Sequence, residues 1–125
     1  MSNAPTLLMN LVPLVRATCR SAADATATTI TPDDSGTLFI SLATGVHTYT
    51  LPAVAGGKGK VFIFFQADTT AAVKVASTAA NIMGVDSATG TTLTSGALIG
   101  DCAMIIGDGT NYLFFNLGQS NWTIA

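Results

Sequence analysis

The residues that could carry chemistry are few and scattered. His47 is the one histidine in 125 residues, so any imidazole mechanism rests on it alone, and a hydrolytic nucleophile needs such a base within reach. It stands in an alternating stretch beside Thr48 and Tyr49. The expectation there is a half-exposed strand histidine whose replacement by alanine leaves stability intact. Zinc needs three or four Cys, His or carboxylate ligands; one histidine with the distant Cys19 and Cys102 gives no such spacing. The acids are seven aspartates with no glutamate, which removes the usual glycosidase carboxylates, although Asp can serve. Asp33-Asp34 and Asp108-Gly109 invite a calcium reading. No D-x-D-x-D-G loop accompanies them, and turn aspartates ordinarily accept bonds from their own backbone. Gly56-Gly57-Lys58-Gly59-Lys60 lacks the spacing and the following helix of a phosphate loop and reads as a turn. Asn121-Trp122-Thr123 matches a glycosylation acceptor, which has meaning only on a secretory route. The expectation is a protein that is not an enzyme, with no metal and no cofactor.

Composition points the same way. Apolar residues make up 49% and charged residues 10%, where an average soluble domain carries about 25% charged residues. Thr and Ala occur 19 times each. The net charge is -2 and the pI about 4.8. Five bases, Arg16, Arg20, Lys58, Lys60 and Lys74, cannot make the dense basic surface that nucleic acid requires. A mean hydropathy of +0.51 excludes a disordered chain. No run of 18 apolar residues is present, so no membrane-spanning helix is expected. The N-terminus lacks the basic start and unbroken apolar run of a signal peptide, which implies synthesis in the cytoplasm. Two cysteines are too few for a disulfide framework; they read as reduced small hydrophobes, with pairing left open. A surface so poor in charge suits packing against other protein.

The elements that must position these residues are short β-branched or aromatic runs broken by Gly, Asp, Asn and Pro. Strands are expected over residues 26–31, 37–42, 47–51, 61–65, 73–75, 82–85, 102–106, 112–117 and 122–124. In residues 37–42 the alternation sets Leu38, Ile40 and Leu42 against Thr37, Phe39 and Ser41. Residues 61–65 are apolar on both faces and belong at the centre of a sheet. Leu93 falls in a Thr/Ser/Gly stretch that predicts a loop or a weak edge strand. Asp108-Gly109 supplies the positive φ of a tight hairpin. Phe62, Phe64, Phe65, Phe114 and Phe115 read as core, with Ile105. Trp122 is either a core plug or an interface anchor. No short-period repeat is evident. The spacing predicts an all-β fold, an antiparallel two-sheet sandwich of jelly-roll type over residues 26–125, with an extended N-terminal arm over residues 1–25.

Several motifs follow one another in a recognisable order: Gly45-Val46-His47-Thr48-Tyr49-Thr50-Leu51-Pro52, a Gly/Lys turn, Val61-Phe62-Ile63, Ala67-Asp68, Val73-Lys74-Val75, Ile82-Met83-Gly84, and Asp108-Gly109-Thr110-Asn111-Tyr112. This order, over roughly residues 36–117, resembles a β-rich module of tailed-bacteriophage virion proteins. Such modules occur as capsid decoration (cement) proteins and as pieces of tail-fibre or baseplate proteins. Fibre versions usually sit in long chains with repetitive shafts, and no shaft is seen here. The resemblance therefore implies a virion structural protein on the capsid exterior that binds the major capsid protein and stabilises the head. A homotrimer suits a three-fold capsid position. The alternative is a receptor- or glycan-binding module of a tail fibre or baseplate. The resemblance brings no catalytic residue, and neither nucleic acid nor membrane is an expected partner.

The arm is the candidate anchor. Leu7, Leu8, Met9, Leu11, Val12, Leu14 and Val15 are seven apolar side chains in nine residues. Buried, each offers about 1.5–3 kcal/mol; ordering each backbone unit costs about 1–2 kcal/mol. The two nearly cancel, so the arm is expected to be ordered where a partner adds backbone hydrogen bonds, as in strand addition to a neighbouring subunit or the capsid. Pro13 fits an extended arm better than a helix interior, with a capping intramolecular helix as the alternative. Arg16 and Arg20 follow and could pair with acidic capsid residues. With Trp122, these residues form the expected interface set.

Overall fold

The computed structural model describes residues 18–22, 27–42, 44–68, 71–84, 89–118 and 122–125. Among them the chain is all-β apart from one 3-10 turn, Pro32–Asp34. The strands are β1 (Thr18–Ala22), β2 (Ala27–Thr29), β3 (Thr37–Ser41), β4 (His47–Thr50), β5 (Val61–Gln66) and β6 (Val73–Ala76), followed by β7 (Ile82–Met83), β8 (Thr89–Gly90), β9 (Thr92–Thr94), β10 (Cys102–Gly107), β11 (Tyr112–Asn116) and β12 (Thr123–Ile124). They form a seven-stranded sheet in the order β1-β3-β5-β10-β11-β7-β8 and a five-stranded sheet in the order β12-β9-β6-β4-β2.

Two sheets were expected, but their directions differ from the antiparallel jelly roll. The first six strands alternate between the sheets: β1, β3 and β5 run parallel in one, β2, β4 and β6 parallel in the other. Each turn of chain lays one strand in each sheet, so a strand of one sheet forms part of the crossover between parallel neighbours in the other. The remaining strands close this winding in mixed fashion. β10 pairs antiparallel with β5 and β11, and β11 pairs parallel with β7. The alternation of side chains has period two in either direction, so it carries no information on strand polarity. The turns that are uneven in length hide the repeat as well. In the large sheet Thr37 lies opposite Thr18 and Phe62 opposite Thr37, steps of 19 and 25 residues.

The core lies between the sheets, where Phe39, Tyr49 and Phe64 meet with ring centroids 5.2–5.4 Å apart. Ile30, Leu51, Phe62, Val75, Ile82, Leu93 and Ile105 are buried around them, with Phe114 partly buried against the same cluster. Three expectations are corrected here, and one segment of the expected arm is placed. His47 is fully buried, not half-exposed: its ring stacks on Tyr49 at 4.2 Å, and Nε2 lies 2.8 Å from the Thr28 hydroxyl. Leu93 belongs to an interior strand, β9, between β6 and β12, and is fully buried. Phe65 and Phe115 face outward while Phe62 and Phe64 face in, because neighbouring positions on one strand point to opposite sides. Residues 18–22 of the expected arm form β1, an edge strand of the large sheet paired with β3.

The backbone turns are closed by the polar residues nearest to them. Asp34 accepts from the Thr31 amide at 2.9 Å and caps the 3-10 turn. In the β10–β11 hairpin Asp108 accepts from the amides of Thr110 and Asn111 at 2.8 and 2.6 Å, and Gly109 takes φ 95°, a conformation open to glycine without strain. Tyr112 is buried beneath this turn and donates to the Pro52 carbonyl at 2.6 Å. A Cβ at Gly57 would strike the Tyr112 ring, and one at Gly107 the Gly57 carbonyl, so two glycines let the turns close over the tyrosine.

Three outcomes follow from this packing. Phe64→Ala removes a fully buried ring and is expected to lower stability by about 3–5 kcal/mol, whereas Phe65→Ala, on the outer face, loses well under half of that; chemical denaturation of both variants separates them. His47→Ala is expected to destabilise by about 2–4 kcal/mol, since it empties a buried stacking position; an unchanged denaturation midpoint would refute the buried assignment. The Asn111 and Thr110 amides hold the Asp108 carboxyl below the usual aspartate value. With the folded pKa below the unfolded one, its contribution is present above the ordinary Asp range and is lost as pH falls through the lowered value. The melting-temperature gap between wild type and Asp108→Asn is expected to shrink over that acid interval.

Candidate interaction surface

The two outer faces of the sandwich differ in chemistry. On the five-stranded sheet the outward positions are mostly threonine: Thr29 on β2, Thr48 and Thr50 on β4, Thr92 and Thr94 on β9, with Lys74 on β6. Thr29 is exposed and the other four threonines are half-buried, the Thr92 hydroxyl donating to the Ala125 carbonyl. On the seven-stranded sheet the outward positions of β3, β5, β10, β11 and β7 are apolar. Register places Leu38, Ile63, Met104 and Phe115 in one row across four strands. A second row joins Ile40, Phe65 and Cys102, and a third joins Val61, Ile106, Leu113 and Met83. No charged side chain interrupts these rows.

This face exists because the aromatic core claims the other phase of each strand. On β3 the inward set is Thr37, Phe39 and Ser41; Phe39 stacks on Phe64 at 5.4 Å, and Leu38 and Ile40 are turned outward as a consequence. Cys102 stands in the second row, half-buried, and burial pushes its thiol pKa up. It is a free thiol. β10 and β1 are separated by β3 and β5, three strand spacings of about 4.8 Å, well beyond the roughly 4.4–6.8 Å Cα separation of a disulfide.

The two ends of the sandwich are as different as its faces. Asp33, Asp34, Lys58, Lys60 and Asp108 belong to the connections at one end, where Lys58 bridges to Gly107 and Gly36 donates to the Val61 carbonyl. At the opposite end β3, β5 and β11 finish and β4, β6 and β10 begin. Leu42 and Val46 lie in the β3–β4 connection, Leu98 and Ile99 in the β9–β10 connection, and Leu117 just past β11; all five are exposed, with Leu98 at 57% and Ile99 at 63%. Phe115, also exposed, joins this end to the apolar face.

A buried polar group shapes that end. Gln66, 1% exposed, donates from Nε2 to the carbonyls of Asp68 and Ala71 at 2.6 and 2.9 Å. Its Oε1 accepts from the Ser95 hydroxyl and the Val73 amide. Its own backbone carbonyl takes the Gly100 amide at 2.9 Å, and its amide donates to Asp101 at 2.8 Å. Residues 98–101 close on themselves: Asp101 accepts from the Leu98 amide at 3.2 Å and donates back to its carbonyl at 3.1 Å. Ala97 enters this turn at φ 61°, a region costly for a residue with a Cβ. The two aliphatic side chains are thus held out on a fixed turn.

Against this geometry the interface residues expected from sequence divide. Leu7, Leu8, Met9, Leu11, Val12, Leu14, Val15 and Arg16 lie outside the described residues. Arg20 lies on β1, in register with Phe39. Trp122 precedes β12 and packs on the core cluster, its ring 6.0 Å from Phe114; its buried Nε1 has no hydrogen-bond partner among the described residues. The exposed end was not anticipated. Its one legible sign is Leu98-Ile99 standing in the Gly96-to-Gly100 stretch, an aliphatic pair in a turn-rich segment with no periodicity to bury it. No protein-family model matches the chain, and no curated protein matches it either.

Proposed function

We propose that this chain is a structural subunit of a tailed-bacteriophage virion, a decoration protein that seats its apolar end on the exterior of the major capsid protein lattice, as a homotrimer at a three-fold position. The observation that carries the reading is that, among the described residues, the exposed aliphatic side chains Leu42, Val46, Leu98, Ile99 and Leu117 collect at one end, while Asp33, Asp34, Lys58, Lys60 and Asp108 stand in turns at the other. A free monomer gains nothing from holding Leu98 and Ile99 in solvent on a closed turn, whereas a docked subunit buries them and leaves its charges facing water. The order of motifs from Gly45 to Tyr112 adds its likeness to phage virion modules. The coil-like winding of β1 to β6 favours one second reading, a tail-fibre or baseplate module that binds receptor or glycan.

The test is the double variant Leu98→Asp, Ile99→Asp in the full chain, measured by co-sedimentation with assembled tailed-bacteriophage capsids that lack decoration protein. Both side chains are exposed, so the melting temperature is expected to hold. Capsid binding is expected to fall at least about tenfold, the loss of one interface hot spot. Absence of wild-type binding to capsids, with binding to host-cell glycans instead, would move the assignment to the second reading.

A further inference from the structure

Gln66 stands where the pattern of its strand calls for an apolar residue. The inward positions of β5 run Phe62, Phe64, Gln66, all buried, and the first two are core rings. A buried amide is costly unless its hydrogen bonds are made, and this side chain has two N–H donors and two acceptor lone pairs to satisfy. All of them are used. Nε2 donates to the Asp68 and Ala71 carbonyls, and Oε1 accepts from the Ser95 hydroxyl and the Val73 amide. A methionine of similar volume would fill the same space without that requirement. What the amide adds is a link between the segment after β5, the start of β6 and the residue that follows β9.

The geometry points to Gln66 and Ser95 as positioning residues for docking, which present the Leu98-Ile99 turn to its partner as a preformed knob. Both ends of that turn lead back to Gln66. At its start, the Ser95 hydroxyl that donates to Gln66 also accepts from the Ala97 amide at 3.4 Å. Ala97 there holds φ 61°, a conformation that a residue with a Cβ keeps only where its surroundings impose it. At its close, the Gly100 amide donates to the Gln66 carbonyl at 2.9 Å, and the Gln66 amide donates to the Asp101 carbonyl at 2.8 Å. Between these anchors Leu98 and Asp101 are bonded to each other twice, which leaves Leu98 and Ile99 exposed at the tip. A convex aliphatic pair of this kind fits a concave apolar pocket on a protein partner. A turn that had to be ordered on binding would weaken the association; here the order is present in the free chain. This role rests on the docking of the apolar end proposed above.

Two changes in the full chain separate positioning from bulk stability: Ser95→Ala removes the hydroxyl and Ser95→Thr retains it. In the alanine variant, amide exchange followed by nuclear magnetic resonance is expected to quicken at least about tenfold at Ala97, Leu98, Gly100 and Asp101, beyond any change within β5 and β10. The threonine variant is expected to exchange at the wild-type rate. Co-sedimentation with tailed-bacteriophage capsids that lack decoration protein is expected to weaken at least about tenfold with alanine and to recover with threonine. Gln66→Met, which keeps the volume and loses the amide, is expected to behave as Ser95→Ala in both measurements. A merely structural role gives instead a rise in exchange shared by β5, β6 and β9, with binding lost only in proportion to the folded protein. That result, or an unchanged rate in the turn, overturns the proposal. Wild-type binding that Ser95→Ala leaves intact overturns it alone, whereas a wild-type chain that binds no capsid overturns the docking reading and this role with it.

Discussion

The rings of Phe39, Tyr49 and Phe64 hold the two sheets to each other. Tyr49 comes from the five-stranded sheet and meets both phenylalanines of the other sheet at 5.2–5.3 Å. Phe39 and Phe64 lie on adjacent strands and stack at 5.4 Å. Such ring pairs add roughly 0.5–1.5 kcal/mol beyond the area they bury. Their larger effect is on phase. Once Phe39 points inward, Leu38 and Ile40 must point outward; once Phe64 points inward, so must Ile63 and Phe65. His47 extends the same stack at 4.2 Å, which explains why the one histidine serves as a core side chain bonded to Thr28.

The consequence is a sandwich with unlike outer surfaces. Threonines on the small sheet satisfy water and retain the β-branched shape that strands favour. The large sheet bears aliphatic and aromatic residues on both sides, the pattern of a sheet covered on both faces rather than one exposed to solvent. Among the described residues Asp33, Asp34, Lys58, Lys60 and Asp108 stand in turns at one end, and the opposite end presents Leu42, Val46, Leu98, Ile99 and Leu117 beside Asp68 and the buried Asp101. The exposed aliphatic residues thus acquire a direction in space, and the proposed docking rests on that direction.

The sheet edges are managed by length. β8 and β12 contain two residues each and β2 three, too short to template another chain along a long ladder. The C-terminus is drawn into the small sheet, where the Ala125 carbonyl takes the amides of Thr91 and Thr92 at 2.8 and 3.0 Å. At the other side the winding begins at β1 and β2, one edge strand in each sheet.

Much of the β architecture was legible in the residues themselves. Alternation at His47–Thr50, a strand at Cys102–Gly107, the central place of Val61–Gln66 and the Asp108-Gly109 hairpin all follow from side-chain period and turn chemistry, which are local properties. Local properties also place the aspartates of Pro32–Asp34 and of the hairpin on their own backbones. The partner of each strand, and its polarity, were not legible. Residues 30–36, 42–46 and 51–60 connect strands in different sheets, and nothing in their composition distinguishes a crossover from a hairpin. The interior place of Leu93 and the outward turn of Phe65 and Phe115 were decided by which neighbours filled the space between the sheets. The exposed end is tertiary for the same reason: Leu42, Val46, Leu98 and Leu117 are far apart in the chain, and only the register of β3, β5 and β10 brings them to one side. Sequence alone determined a charge-poor, strand-forming chain with a surplus of apolar residues; the packing of three aromatic rings decided which of them would be left outside.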